Sequence, residues 1–361
     1  MNKEIRKGGR VICRLYSLTM VGNYNIIILS KNSLYSNKLG SLNMLFYIFE
    51  SFVNAQQYIA IAAMAAFTIC FVLLKLKLPF LPKDKGRAFA VNGEVSKGKI
   101  RGVGIIMIST FVLCSIFLLP ITKEFILYDI LIFLEMLSGY FDDASDKPWS
   151  DYKKGLIDLI ICIIISVVFV SNNSTAIMIF NYEIYVHPVL FAALSTVLLW
   201  LGINVTNCSD GVDGLCGSLS IISLLSISFI FFSEIGEQYA VYSFIMIGVL
   251  IAYLCFNTSP SSQLMGDAGS RPLGILIVLL ILKSSHPLSY LLLSAVLIVD
   301  GIAGLIKIFL KRFLKIEVLK NVRTPIHDEM RKNHGWSDTQ VLVRFCIIQL
   351  FLSTIQFIIS K

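Results

Sequence analysis

Long apolar runs, separated by short polar and charged segments, dominate the pattern of this 361-residue chain. The apolar positions are continuous within each run and do not alternate, which favours helices over the strands of a membrane barrel. A helix needs about 20 apolar residues to cross the hydrocarbon core of a bilayer. We therefore predict an all-α polytopic membrane helix bundle with about ten transmembrane helices, near residues 54–76, 102–121, 124–140, 155–172, 187–206, 215–233, 239–256, 271–285, 287–307 and 342–360.

The composition agrees with this pattern. Apolar residues make up 56% of the chain and charged residues 15%, and the mean hydropathy is +0.77. Soluble domains have about 45–50% apolar and about 25% charged residues, so an ordinary soluble domain is excluded. The cysteines form no Cys/His metal spacing, so we expect neither disulfides nor structural zinc. The expected surroundings are the lipid bilayer, with no nucleic acid as a partner.

The basic residues between the apolar runs orient the predicted bundle. Eight Lys and Arg residues lie in the connection after the first run and nine in that after the ninth, whereas the connections on the opposite side and the C-terminal end hold three in all. Basic residues are retained on the cytoplasmic side of a membrane. We therefore expect both ends of the bundle to be extracytoplasmic.

The first 45 residues fit this topology poorly. Seven basic residues and one acid, Glu4, lie there, and they would have to be exported. We consider a mistaken upstream start, with Met44 as the true initiator, and a cytoplasmic or signal-like leader, and we favour the first. We expect residues 46–361 to form a single transmembrane domain.

Three acidic segments follow apolar runs on the predicted cytoplasmic side: Asp142-Asp143, 207–215 and Gly266-Asp267. Ionisable groups near membrane helices are costly unless they face water, a metal or a substrate. Convergent carboxylates hold Mg²⁺ beside phosphates, and neighbouring glycines let backbone N–H groups approach phosphate oxygens. Helix capping by each Asp is the competing interpretation. We favour a single polar chamber for phosphate chemistry, because capping explains three clusters on one side less well.

Two further acids, Glu135 and Asp300, fall inside predicted spans. Each needs a polar partner at that depth. They either support the polar chamber from behind or pair with each other, and the sequence leaves both alternatives open.

Four motifs occur in order along the chain: Phe141-Asp142-Asp143, Asn207-x-x-Asp210-Gly-x-Asp213-Gly-Leu215, Met265-Gly266-Asp267-x-Gly269-Ser270, and Pro325-x-His327 followed by Gly335-Trp336. They resemble the motifs of the polyprenyl-phosphate N-acetylhexosamine-1-phosphate transferases, and the resemblance covers about residues 55–360. The last motif, with Val343-Arg344-Phe345 after it, points to the muramoyl branch of that family.

The resemblance implies transfer of phospho-MurNAc-pentapeptide from UDP-MurNAc-pentapeptide to undecaprenyl phosphate with Mg²⁺, giving lipid I and UMP in peptidoglycan synthesis. It implies a multi-pass protein of the bacterial cytoplasmic (inner) membrane with its active site on cytoplasmic loops, and it is compatible with a homodimer. Two alternatives stay open. One is a polyprenyl-phosphate GlcNAc-1-phosphate transferase of teichoic-acid or O-antigen synthesis. The other is a secondary transporter, although the inverted repeats expected of that class are not evident.

The matching motifs imply roles for individual residues. Catalytic roles fall to Asp142, Asp143, Asp267 and His327, with Asp267 as the Mg²⁺ ligand. The Asp142–Asp143 pair is implied to bind or deprotonate the lipid phosphate, but a phosphate monoester is already largely ionised at pH 7, so we favour direct attack without an obligatory base. The implied substrate-binding residues are Lys97, Asn207, Asp210, Gly211, Val212, Asp213, Asn257 and Leu264.

The chain departs from the family pattern in three places, one of which is Leu264, where the family often has an aromatic residue before Met-Gly-Asp. The family's Gly-Thr-Pro-Thr-Met-Gly-Gly element is represented by residues 98–104, Gly-Lys-Ile-Arg-Gly-Val-Gly, which keep glycines and add two cations. The family's triple-His element reads His327-Asp328-Glu329, so acids stand where they would repel phosphate unless a metal or an arginine intervenes. Arg323 and Arg331 are near enough in sequence to pair with these acids.

Overall fold

The computed structural model describes residues 53–86, 96–179, 182–234, 236–319 and 321–359. All of them belong to one compact unit, Ser41–Lys361. The predicted leader at 1–45 and the proposed start at Met44 lie outside the described residues.

Helices account for most of the described chain, and each of the ten predicted windows overlaps one of them. Six are long and apolar enough to cross a membrane, and a seventh crossing results if two segments bent by 90°, Pro287–Leu293 and Ala295–Leu314, form one span. The protein is therefore a polytopic helical membrane protein, while the number ten and the side of each end stay predictions. The helices are α1 (Ala55–Lys75), α2 (Gly104–Leu118), α3 (Lys123–Ala144), α4 (Asp151–Asn172), α5 (Pro188–Cys208), α6 (Leu215–Glu234), α7 (Glu237–Asn257), α8 (Asp267–Lys283), α9 (Tyr290–Leu293), α10 (Ala295–Phe309), α11 (Ile326–Lys332) and α12 (Asp338–Ile359).

Side-chain caps explain where several helices begin. Asn54 and Gln57 cap α1 reciprocally, each side chain accepting a hydrogen bond from the backbone N–H of the other, at 2.9 and 3.0 Å. Thr122 Oγ1 accepts from the Phe125 N–H at the start of α3. These bonds satisfy N–H groups that have no partner within the helix.

The structure corrects the purely helical prediction at one point. Between α4 and α5, the strands β1 (Ala176–Ile179) and β2 (Tyr182–Tyr185) pair antiparallel. The Met178 N–H also donates to the carbonyl oxygen of Ser285, just after α8. Two four-residue strands are too short to be recognised beside long apolar runs.

Helix α8 lies at the centre of the bundle, with every residue buried, and packs against α3 and α5. It begins four residues before the predicted window, so Arg271 lies inside the helix and not in a connection. The Arg271 guanidinium is 2.8 Å from Glu135 Oε1 of α3 and also pairs with Asp158 of α4. Glu135 therefore finds its partner here and does not pair with Asp300. A buried cation with two buried acids ties three helices together.

Candidate active site

The loop after α1 runs beside the segment that leads into α8. Ile100 forms isolated β-bridges with Lys83 and with Gln263. The Leu264 N–H donates to the Ile100 carbonyl oxygen at 2.8 Å, and the Gly104 N–H donates to that of Met265 at 3.1 Å. The pairing uses the backbone of Leu264, and its side chain stays half-buried. These backbone contacts fix the loop after α1 next to the start of α8.

The end of α3 and the start of α8 bring three carboxylates together. Asp142 and Asp143 lie in the last turn of α3, and Asp267 is the first residue of α8. Asp143 Oδ2 accepts a hydrogen bond from the Ala268 N–H at 3.2 Å. A Cβ on Gly139 would collide with the backbone of Asp267 and Ala268, so only glycine permits this approach of the two helices.

Two cations lie among the three carboxylates. Arg101 Nε donates to Asp143 Oδ1 at 2.7 Å, and Arg101 Nη2 lies 3.5 Å from Asp267 Oδ1. Lys154 Nζ pairs with Asp142 and lies 3.4 Å from Asp267 Oδ2. The other oxygen of Asp142 accepts from the Trp149 N–H at 2.7 Å. Asp267 therefore lies between an arginine and a lysine, each held by a different aspartate of α3.

The electrostatics of this cluster keep the arginine charged. Burial raises the pKa of Asp143 to about 6, even though Arg101 acts to lower it. Burial alone would lower the pKa of Arg101, but attraction to Asp143 and Asp267 outweighs it and raises that pKa above its ordinary value. The cluster thus contains a permanent cation.

The loop between α5 and α6, residues 209–214, is called the glycine loop and is anchored by Asp213. The Ser261 N–H donates to Asp213 Oδ2 at 2.9 Å, and the Ser261 hydroxyl donates to Asp213 Oδ1 at 2.7 Å. Lys99 Nζ donates to the same hydroxyl at 2.8 Å and lies 3.8 Å from Asp213 Oδ2. Both carboxylate oxygens are thus used to join this loop to the segment before α8, and the capping interpretation does not describe Asp213.

The remaining residues of this motif lie around the same loop. Asn207 Nδ2 donates to the Ser270 hydroxyl of α8 at 2.9 Å. Asp210 is half-buried, and it is close enough to Arg101 to help raise the pKa of the Arg101 guanidinium. Val212 is buried and Gly211 is exposed. The motif at 207–215 therefore lies beside the carboxylate cluster, as the single-chamber prediction requires.

Asn257, at the end of α7, uses both ends of its amide within the protein. Its Oδ1 accepts from the Gly214 N–H at 2.9 Å, and its Nδ2 donates to the Gln263 carbonyl oxygen at 2.9 Å. The side chain is buried, with 3% of the residue exposed. Asn257 joins the loop after α5 to the segment before α8, which positions both without exposing the amide.

His327 packs against the same glycine loop at Gly211. Its Nδ1 is 2.8 Å from Asp300 Oδ2, and its backbone N–H donates to Asp300 Oδ1 at 2.8 Å. We assign the proton to Nδ1 because a carboxylate accepts there. A Cβ on Gly211 would collide with the imidazole, so the loop packs against His327. His327 is 2% exposed and is positioned by an acid of α10.

Of the two acids after His327, Asp328 pairs with arginine side chains, as expected, whereas Glu329 accepts a backbone N–H instead. Arg331 Nη2 donates to Asp328 Oδ1 at 2.5 Å, and Arg323 donates its backbone N–H to Glu329 Oε2 at 2.6 Å. Arg331 Nη2 also donates to the Gly211 carbonyl oxygen at 3.2 Å. Asp328 is therefore neutralised locally, and the arginine that binds it also holds the glycine loop.

The sequence missed the residues that supply the positive charge of the site. Lys97 is exposed in the turn at 96–99, whereas Arg101, Lys99 and Lys154 contact the acidic motifs. The two cations that replace the family's Thr-Pro-Thr were the available signal. Lys154 carried none, because a lysine in a cytoplasmic connection is expected in any membrane protein.

The carboxylates of the cluster supply only some of the ligands that a magnesium ion needs. No group of three His, Cys, Asp or Glu side chains in the described ranges is placed to hold a metal. Mg²⁺ is commonly bound through one or two carboxylates, while water and substrate phosphates complete its shell. Asp267, with Asp142 and Asp143 beside it, supplies hard oxygen donors of this kind. The donor set therefore fits a site that substrate completes.

A membrane helix bundle with acids, fixed cations and a glycine loop at one end has the features of a membrane enzyme that handles phosphates. The family model described as "Glycosyl transferase family 4" matches residues 125–285. The phospho-N-acetylmuramoyl-pentapeptide-transferase of Treponema pallidum subsp. pallidum is 38% identical over 339 residues, which cover 87% of this chain and 93% of that protein.

More distant relatives carry the same name. The protein of Nautilia profundicola is 26% identical over 361 residues, covering 88% of this chain and 99% of its own length. That of Campylobacter jejuni subsp. jejuni is 28% identical over 341 residues, covering 81% and 92%. The chain belongs to the family of the phospho-N-acetylmuramoyl-pentapeptide transferases.

Proposed function

We propose that this protein transfers phospho-MurNAc-pentapeptide from UDP-MurNAc-pentapeptide to undecaprenyl phosphate, giving lipid I and UMP. The observation that carries the proposal is the meeting of Asp142, Asp143 and Asp267 with Arg101 and Lys154 beside the glycine loop. Such a mixed cluster suits a reaction between two phosphates, because their negative charges must be neutralised before they can meet. The names of the relatives favour the muramoyl donor over UDP-GlcNAc.

The reaction proposed is attack by an oxygen of the lipid phosphate on the sugar-bearing phosphorus of the nucleotide. A new P–O bond joins the two phosphates, the bond to the other nucleotide phosphate breaks, and UMP leaves with that oxygen. Arg101 and Lys154 are proposed to hold and orient anionic phosphates during this step. Bound Mg²⁺, with Asp267 as its proposed ligand, would add neutralisation of the phosphate oxygens.

The nucleotide is proposed to bind at the loop of residues 207–215. Asp213, Ser261 and Lys99 fix this loop, and Asn257 fixes its far end. A loop held at both ends presents its backbone N–H groups without the entropy cost of ordering them on binding. Asn207, Asp210 and Gly211 are the proposed contacts, and Val212 supports them from the core.

Asp142 and Asp143 are proposed to position cations and not to remove a proton. Asp142 binds Lys154 and the Trp149 N–H, while Asp143 binds Arg101 and the Ala268 N–H. A carboxylate whose two oxygens already accept hydrogen bonds is a poor general base. A phosphate monoester has a second pKa of about 6, so it has largely lost its second proton at pH 7. Direct attack by the lipid phosphate therefore needs no base.

The finer topology belongs to the same proposal. We place ten crossings in the bacterial cytoplasmic membrane, with both ends of the bundle outside and the cluster at the cytoplasmic face. The ends of α1, α3, α5 and α7 all lead into segments of the site, which supports a common side for these four ends. A homodimer stays a prediction.

The test is UMP release by the full-length protein, purified in detergent, with undecaprenyl phosphate and either UDP-MurNAc-pentapeptide or UDP-GlcNAc. We expect release with the muramoyl nucleotide, dependent on both Mg²⁺ and the lipid phosphate. Turnover of UDP-GlcNAc alone would replace our donor with the smaller sugar. Release from neither nucleotide, in protein that elutes as a folded species, would refute the proposal.

A further inference from the structure

Arg101 is held at the carboxylate cluster by an acid outside the family-like motifs. Asp84, 6% exposed, accepts a hydrogen bond from Arg101 Nη1 at 3.1 Å. Asp84 also accepts from the Ser96 hydroxyl at 2.6 Å and from the Gly86 N–H at 3.2 Å. Its backbone N–H donates to the Lys99 carbonyl oxygen at 2.8 Å. Asp84 therefore joins the two sides of the loop after α1 and fixes the position of the Arg101 guanidinium.

The guanidinium of Arg101 spans three acids, but its contacts with them differ. Its bonds to Asp143 and Asp84 are 2.7 and 3.1 Å long, whereas 3.5 Å separates it from Asp267 Oδ1. A guanidinium carries its donors in a rigid planar fork and does not lose its charge. Arg101 is thus anchored through two acids and reaches Asp267 with the remaining arm.

We propose that Arg101 is a resident countercation of the cluster, which a divalent cation must displace from Asp267. The inference rests on the magnesium site of the proposed function. A metal ligated by Asp267 and the nearby guanidinium compete for the same carboxylate charge, and they also repel each other. Arg101 therefore weakens divalent binding to the substrate-free protein, so that the metal binds firmly only when substrate phosphates add negative charge.

Displacement from Asp267 does not remove Arg101 from the site. Asp84 and Asp143 retain the guanidinium within reach of the space between Asp267 and the glycine loop. There it becomes a donor for phosphate oxygens, for which an arginine fork is well suited. The same residue thus stabilises the acids before substrate arrives and binds phosphate afterwards.

Binding of Mn²⁺ to the substrate-free, full-length protein, followed through the EPR signal of free Mn²⁺, tests the competition. We expect Arg101→Gln to lower the Mn²⁺ dissociation constant by about tenfold, because a positive charge a few ångströms from the metal is removed. Arg101→Lys, which keeps the charge, should stay within about threefold of the parent protein. Lys85→Gln is the matched control, since Lys85 lies in the same loop but contacts the exposed Asp146 at 3.3 Å and the Ser145 carbonyl oxygen at 2.9 Å.

An unchanged or weaker Mn²⁺ affinity in folded Arg101→Gln protein would overturn the proposal. Chemical modification of the unmutated protein tests it even if that variant does not fold. The Arg101 side chain is 15% exposed, so its reaction with phenylglyoxal should be slow and should speed up at saturating Mn²⁺. The exposed Arg344, stacked 4.2 Å over the Trp336 ring, serves as the internal reference. A rate at Arg101 that does not rise relative to Arg344 contradicts displacement.

These outcomes separate the inference from the proposed function. One outcome is UMP release with normal Mg²⁺ dependence and a Mn²⁺ affinity that does not change when the charge of Arg101 is removed. This outcome refutes only the proposed countercation role of Arg101. Absence of UMP release from either nucleotide refutes the proposed function, whatever the metal titration shows.

Discussion

Asp300 of α10 receives two hydrogen bonds from His327, one from the backbone N–H and one from Nδ1, both 2.8 Å long. A single buried acid thus fixes both the start of α11 and the orientation of its imidazole. The glycine loop at Gly211 packs on that imidazole. The acid therefore acts on the proposed nucleotide loop through His327.

Asp300→Asn should lower the turnover rate by about 10–100-fold, the scale found when the outer partner of a functional histidine is removed. An amide fills the same space but favours a different proton arrangement on the ring. Rates of UMP release are compared for Asp300→Asn, His327→Ala and the double variant. We expect the double variant to be no slower than His327→Ala, because the two residues act as one unit. Multiplied losses would show that Asp300 acts independently of the histidine.

His327→Ala should reduce turnover by about 10²–10³-fold if the imidazole, protonated on both ring nitrogens, donates from Nε2 to the transition state. Asp328→Ala should cost less than about tenfold, since Arg331, the partner of Asp328, keeps its contacts with Asp338 and with the Gly211 carbonyl oxygen. UMP release as a function of Mg²⁺ concentration is measured for both. A more severe loss in Asp328→Ala, with a higher Mg²⁺ requirement, would instead make Asp328 a metal ligand.

Asp267→Asn should abolish turnover and leave the protein folded. An amide is nearly isosteric with the carboxylate but is a much poorer ligand for Mg²⁺. UMP release and the thermal unfolding temperature in detergent are the two measurements. Near-normal release by a folded variant would remove Asp267 from the proposed metal site.

Gly139→Ala should misplace Asp267, because the added Cβ meets the backbone at the start of α8. A shift of about 1 Å at a reacting group can cost about 10²-fold in rate, and overpacking commonly destabilises by about 1–3 kcal/mol. Gly155→Ala in α4 is the control, since nothing lies within 4 Å of a Cβ there. We expect the control to keep its rate and to keep or slightly raise its unfolding temperature, since alanine favours a helix over glycine. Equal behaviour of the two variants would contradict the close approach of α3 and α8.

Asn257→Ala should lower the unfolding temperature and raise the KM for the nucleotide. The Gly214 N–H and the Gln263 carbonyl would lose their partner, at a cost of about 1–3 kcal/mol for each buried group left unsatisfied. Asn204→Ala is matched to it, because within the part of the chain that the structure describes Asn204 bonds only the carbonyl oxygen of Trp200, one turn earlier in its own helix. A raised KM in both variants would argue against a specific role for the loop clamp.

The acidic motifs could be located from sequence because they break the apolar runs. Asp142, Asp213 and Asp267 stand where charge is costly, so their positions alone indicate a polar site. Basic residues carry no such signal in a cytoplasmic connection, so Lys154 was not singled out, and Arg101 was noted only as an added cation in the altered family element. The structure shows that these cations are the direct partners of the acids.

Two features of α8, its start and the burial of Arg271, show the same limit. The start of α8 was predicted four residues late, because Asp267 and Arg271 are polar and the apolar run begins after them. Arg271 is nevertheless buried, since Glu135 and Asp158 approach it from two other helices. Its helical position depends on partners more than 100 residues away in the chain, which no local pattern reports.

The sequence by itself determined the membrane character, the helical class, the positions of the apolar segments and the motifs that carry the chemistry. These follow from hydropathy and residue type, which act locally along the chain. Only the tertiary structure decided which charges meet: Arg101 with Asp143, Lys154 with Asp142, and Asp300 with His327. Such pairings depend on how closely helices approach at positions such as Gly139, and that distance is set by the packing of the whole bundle.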